Sequence, residues 1–139
     1  MFIVAGGTKI GDLAESSRAV DAYEVMPYEF AKVIGAMLPL VEVMLGALLV
    51  IGLGTRLGGL VSAGLFVVFI TGIAQAWARG LTIDCGCFGG GGTIEASQTK
   101  YGWEISRDTL LFALAVFLGV FPRTRYSLDA RLAGPKEIE

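Results

Sequence analysis

The chain has 139 residues, 54% of them hydrophobic and only 17% charged, with a mean hydropathy of +0.66; a soluble domain this small needs a polar skin that these residues do not supply. Disorder is excluded by the same apolar content, and a net charge of −2 argues against nucleic acid as a partner, since phosphate binding needs a basic surface. The class left is a small all-α integral membrane protein, embedded in a lipid bilayer. The chain contains no His and only two Cys, Cys85 and Cys87, so imidazole bases and His-ligated metals drop out together.

In chain order, Met1–Ala5 is apolar and runs into Gly6-Gly7-Thr8-Lys9. This segment, about residues 1–8, reads as the tail of a span whose beginning is missing. Between Lys9 and Glu29, Ala14, Val20, Tyr23 and Val25 alternate with charged residues, a spacing expected of a helix lying at the membrane surface. A bilayer-crossing helix needs about 20 mainly apolar residues. The first such stretch covers residues 30–53, opened by Pro27 and interrupted by Pro39 and Glu42. Pro39 has no N–H, so it frees the carbonyl of Gly35 for another donor. The second stretch, residues 57–78, carries no charge and is flanked by Arg56 and Arg79, placed to reach headgroups. The third, residues 107–121, has a short apolar core from Thr109 that Pro122 stops. Tyr101, Trp103 and Ile105 extend it at the interface. Trp77, Tyr101, Trp103 and Tyr126 read as interfacial anchors without a catalytic role. Residues 1–126 form one domain, and residues 127–139 a polar tail. Arg123 and Arg125 follow the last span directly, which predicts a multi-pass protein of the cell (plasma or inner) membrane with a cytoplasmic tail and an extracytoplasmic loop 79–106.

That loop holds the strongest chemical signal, Asp84-Cys85-Gly86-Cys87-Phe88-Gly89. Residues i and i+2 lie at most about 7 Å apart, and a disulfide needs Cα atoms about 4.4–6.8 Å apart, so the chain must turn at Gly86. Gly tolerates the positive φ that such a turn asks for. A ring this small stabilises little and is strained, which makes it oxidising and exchange-prone. Three readings stand side by side: a redox pair, a tight-turn staple, and a metal site. Two thiolates do not complete a zinc tetrahedron, which leaves a linear Cu(I) site or one shared with a partner, and no metal ligand is assigned. Asp84 is expected to raise a nearby thiol pKa by like charge. Glu42, half-way along its span, is read as an intramembrane hydrogen-bond or proton site, because charges at that depth face a bundle interior. A quinone would fit between helices near Glu42, although no residue specifies one.

Several of these residues resemble a known family. Gly6-Gly7-Thr8-Lys9 is similar to the Gly-x-x-Lys end of the first span in DoxX-type membrane proteins. Pro39-x-x-Glu42, followed by Gly46 and Gly52, resembles the pattern of their second span. Arg79-Gly80 with the cysteine hexapeptide is similar to the loop of the MauE, or methylamine-utilisation, branch. The resemblance covers about Met1 to Phe121 and departs from the family at the start, where most of the first helix is absent. It implies a four-helix membrane bundle and extracytoplasmic thiol-disulfide chemistry at Cys85 and Cys87, supporting maturation of a partner protein. The partner implied is a thioredoxin-like protein or a substrate protein thiol. The rival expectation is a non-catalytic accessory subunit of a larger, respiratory-type membrane complex, with Cys85 and Cys87 as a staple.

Overall fold

The computed structural model describes residues 1–87 and 90–121. Phe88, Gly89, Pro122, Tyr126 and the tail 127–139 therefore lie outside the described residues. Five α-helices carry the fold: α1 (Phe2–Ile10), α2 (Leu13–Asp21), α3 (Tyr28–Ile51), α4 (Thr55–Ala78) and α5 (Tyr101–Val120). A two-stranded hairpin, β1 (Ile83–Asp84) and β2 (Gly92–Thr93), stands between α4 and α5.

The two long apolar stretches become α3 and α4, each of 24 residues and each long and apolar enough to cross a membrane. Their outer faces are lined by exposed side chains such as Phe30, Val33, Val50, Leu57 and Val68, the arrangement expected of helices solvated by acyl chains. At α5 the extension through Ile105, Trp103 and Tyr101 is helical. Its helix begins at Tyr101, six residues before the predicted span, and runs 20 residues in all. The polar first turns stay helical because Glu104, Arg107 and Asp108 find partners among themselves and in the cysteine loop.

Small residues set how closely the helices approach. A Cβ added at Gly6 would lie 2.6 Å from the Pro39 carbonyl oxygen, and one at Gly46 would lie 2.6 Å from the Ile3 side chain. These contacts run α1 antiparallel along α3. A Cβ at Gly59 would lie 2.7 Å from the Gly119 nitrogen, so α4 and α5 pack backbone to backbone, also antiparallel. This is how membrane helices associate when burial from water gives no drive. The connections place α2, the end of α4, the hairpin and the start of α5 at one end of the molecule.

The segment expected to be an amphipathic helix is α2, and the face it packs inward is its small and hydroxylic one. Asp12 caps it, its Oδ1 accepting from the Glu15 N–H at 2.9 Å. Its buried residues are Ser16, Ser17 and Ala19, whereas Ala14 and Val25 are exposed. The reason lies in α3. The Gly35 carbonyl freed by Pro39 accepts a 2.7 Å hydrogen bond from Ser16 Oγ. Beside it, Ser17 Oγ donates to the carbonyls of Leu13 and Lys32. Gly35 lets α2 reach that carbonyl, since a Cβ there would meet Ser17 Cα at 2.5 Å. A proline about three turns into α3 thus selects the small, hydroxylic face of α2 as the one that packs.

Replacing Ser16 by Ala leaves that buried carbonyl without a donor, an effect of about 1–3 kcal/mol. We expect S16A to lower the thermal unfolding midpoint in detergent micelles. G7A, whose added Cβ meets nothing within 4 Å, should leave the midpoint unchanged.

Candidate functional site

The hairpin delivers the cysteines. Ile83 pairs with Thr93 and Asp84 with Gly92, so Cys85, Gly86 and Cys87 enter the turn directly from β1. Two tyrosines pin it from below. The Tyr101 hydroxyl accepts from the Ile83 N–H at 3.0 Å and donates to the Leu81 carbonyl. The Tyr23 hydroxyl donates to the Cys85 carbonyl at 3.1 Å. Tyr101 is therefore a buried structural residue rather than an interfacial anchor, while Trp77 and Trp103 are exposed as expected. Tyr23 is itself held in place, because Gln75 Nε2 and Arg79 both donate to its carbonyl. Arg79, expected to reach the headgroups, also forms an exposed ion pair with Glu24, a contact that adds little stability on its own.

Gly86 adopts φ 66°, the turn expected from the spacing. It is also buried, and a Cβ added there would lie 2.7 Å from Ala19 Cβ on α2. Two requirements thus converge on glycine, one of conformation and one of space. Asp84 Oδ1 accepts from the Gly86 N–H at 3.1 Å and braces the turn.

Within the turn the two thiols are unlike. Both are free. Cys85 is half-buried, whereas Cys87 is 2% exposed. The Cys87 N–H donates to Cys85 Sγ at 3.4 Å. Its hydrogen bond with Cys85, then burial, then the charges of Cys85 and Asp108 push the Cys87 thiol well above its ordinary range. The like-charge effect expected of Asp84 falls to Asp108 at this thiol. Tyr23 is likewise raised, first by burial and then by Cys85 and Cys87, so it stays a neutral donor.

Three residues of α5 complete the surroundings. Glu104 lies in hydrogen-bonding reach of Cys85, and burial pushes its carboxyl up against that favourable contact. Asp108 is wholly buried, and its Oδ1 accepts two 3.0 Å bonds from Arg107. Sequence reasoning did not single out Glu104, Arg107 or Asp108. Their spacing was the available signal: Glu104 and Asp108 are four apart on one face of a helix otherwise apolar to its end.

Glu42 is 1% exposed and faces Lys9, whose Nζ donates to both carboxylate oxygens at 3.2 Å. Gly6-x-x-Lys9 and Pro39-x-x-Glu42 interlock: Gly6 brings α1 onto Pro39, and one turn later Lys9 meets Glu42. The two sites are not remote from one another. A cavity of about 40 Å³, lined among others by Lys9, Ser16, Tyr23, Leu38, Cys85 and Cys87, lies between them and has room for a water molecule.

With this geometry established, comparison with known proteins places the chain. The profile of the family described as methylamine utilisation protein MauE matches residues 1–121. The chain belongs to the MauE family. The methylamine utilization protein MauE of Paracoccus denitrificans is 32% identical over 117 residues, 84% of this chain. The chain spans 61% of the length of that curated relative. No solved structure matches. Family and apolar helices together make this a membrane protein of mainly helical fold.

Removing one partner of the Lys9–Glu42 pair leaves a buried charge uncompensated, at a cost of about 3–5 kcal/mol. We expect K9M and E42L each to lower the unfolding midpoint in micelles. The double variant should recover most of the loss. A double variant as damaged as the sum of the singles would contradict a pair whose members act on each other.

Proposed function

We propose that this MauE-family protein carries out thiol-disulfide exchange through Cys85 and Cys87 on the extracytoplasmic side of the cell membrane, with its tail in the cytoplasm and a thioredoxin-like or substrate protein as partner. The observation that carries the reading is the asymmetry of the two sulfurs: a half-buried Cys85 that accepts an N–H bond, beside a buried Cys87 whose ionisation is opposed. An exchange pair needs an accessible attacker and a sheltered resolver. Cys85 takes the first role and Cys87 the second.

The Cys85 thiolate attacks one sulfur of a partner disulfide. The partner's S–S bond breaks, and its other sulfur leaves as a thiolate that takes up a proton. Cys87 then loses its proton and attacks Cys85 Sγ, forming the Cys85–Cys87 disulfide and releasing the partner's second sulfur. Two electrons have passed from the pair to the partner. The same steps in reverse oxidise a partner dithiol. An open groove of about 840 Å³ beside the hairpin, lined in part by Arg18, Glu24, Met26, Gly80, Thr82 and Thr93, offers a partner chain a place to lie.

The name of the Paracoccus denitrificans relative points to methylamine utilisation, and maturation of a partner in such a system is the physiological setting we propose. In this reading α1, α3, α4 and α5 form the DoxX-type four-helix bundle in the bilayer, and the Lys9–Glu42 pair is its internal polar link.

Trapping tests the order of attack. With Cys87 replaced by Ser the mixed disulfide has no resolving thiol, so C87S should accumulate covalent adducts on non-reducing gels of native membranes. C85S should trap far less, because its remaining thiol is buried. If neither variant captures a protein thiol and both keep wild-type activity, the redox role is lost.

A further inference from the structure

The sequence offered two thiols and no further soft ligand, which set metal aside. The fold changes the donor set. It draws Asp84 from β1, Cys85 from the turn and Glu104 from the first turns of α5 into one cluster, whose ligand atoms all lie within 4.8 Å of one another. Three separate elements supply these donors, and Glu104 is remote from the other two in sequence. Zinc bonds of about 2.0–2.3 Å require tetrahedral ligand atoms about 3.3–3.8 Å apart, a contraction of roughly 1 Å.

Two further observations point to a ligand. Glu104, whose carboxyl is in hydrogen-bonding reach of Cys85, keeps a buried oxygen, Oε2, without a hydrogen-bond partner. Cys85 Sγ already receives the Cys87 N–H, the kind of outer hydrogen bond that steadies a metal-bound sulfur. The neighbouring Asp108 also has an unpartnered Oδ2, but its Oδ1 is held by Arg107 and it is not one of the three clustered donors.

We infer that Asp84, Cys85 and Glu104 form a binding site for a thiophilic divalent cation, with zinc as the ion, and that its occupation competes with oxidation of the cysteine pair. A thiolate with two carboxylates suits Zn²⁺, whereas calcium and magnesium want an all-oxygen shell. Three protein ligands leave a fourth position to solvent. On binding, the Cys85 thiol gives up its proton to bulk and the thiolate bonds the metal. No electron moves. Cys85 is then unable to join Cys87, so the metal-bound and disulfide states exclude each other. The competition rests on the exchange role proposed above; the site itself does not.

The test uses the full chain, reduced and purified in detergent, with Zn²⁺ competing against a chromophoric chelator. Wild type should bind one ion per chain. C85S and E104Q should each weaken binding at least about tenfold. C87A, which keeps the backbone N–H and lies outside the donor set, should bind within about threefold of wild type, and the diamide-oxidised protein should bind none. In wild type alone, Zn²⁺ should slow alkylation of Cys85, a readout that survives if any variant misfolds. Absence of zinc binding to reduced wild type overturns the inference. So does an E104Q variant that binds normally, or a C87A variant as impaired as C85S, which would indicate a two-thiolate site. Adduct capture by C87S in the presence of a chelator is a separate measurement. It can succeed while zinc binding fails, so the two readings fall independently.

Discussion

The close approach of Gly86 to Ala19 fixes the geometry of the cysteine turn, and most of the site follows from it. The turn sits flat on α2, leaving no room for a side chain at position 86. Gly91, on the other limb of the hairpin, also lies against Ala19. With the turn pressed onto the helix, one sulfur is carried into the packing and the other remains at its edge. Tyr23 and Tyr101 hold the strand at that height through the carbonyls of Cys85 and Leu81. A freely moving glycine loop would expose both thiols alike; this seating makes them chemically distinct.

The seat itself depends on events deeper in the apolar region. Pro39 leaves the Gly35 carbonyl without its helical donor, and Ser16 answers it. That bond, with Ser17 beside it, fixes the rotation of α2 and so presents Ala19 upward. One turn beyond Pro39, Glu42 engages Lys9 and ties α1 to the same helix. The membrane-embedded part of α3 thereby orients the platform on which the redox turn rests. A small cavity lined by Lys9 and by the two cysteines accompanies this stacking.

Much of this was legible in the sequence. Hydropathy located α3 and α4 to within a few residues, because mainly apolar runs of that length have few other outcomes. The local geometry of proline and glycine identified the orphaned carbonyl at Gly35 and the turn at Gly86. What the sequence hid was partnership across helices. Glu42 stood out as a polar residue within a span and Lys9 as the end of the first apolar segment, yet nothing in one dimension joins positions so far apart. The aromatic residues marked an extension of α5 to Tyr101, whereas Glu104, Arg107 and Asp108 look like loop residues until the groups that satisfy them are seen. The packing face of α2 was hidden for a related reason: the decisive partner of Ser16 is a carbonyl on another helix. For the same reason the metal reading had only two thiolates to work with, since the carboxylates that join Cys85 come from β1 and α5.

The account stands on Cys85 and Cys87 behaving as one reversible couple. The most direct measurement is a redox titration of native membranes in glutathione buffers, with the thiols counted by mass-tagged maleimide. The account predicts a single transition in which both thiols disappear together, with the two-electron slope of about 30 mV per tenfold change in ratio. A pair that stays fully reduced across the whole buffer range, or thiols that titrate independently, would contradict it.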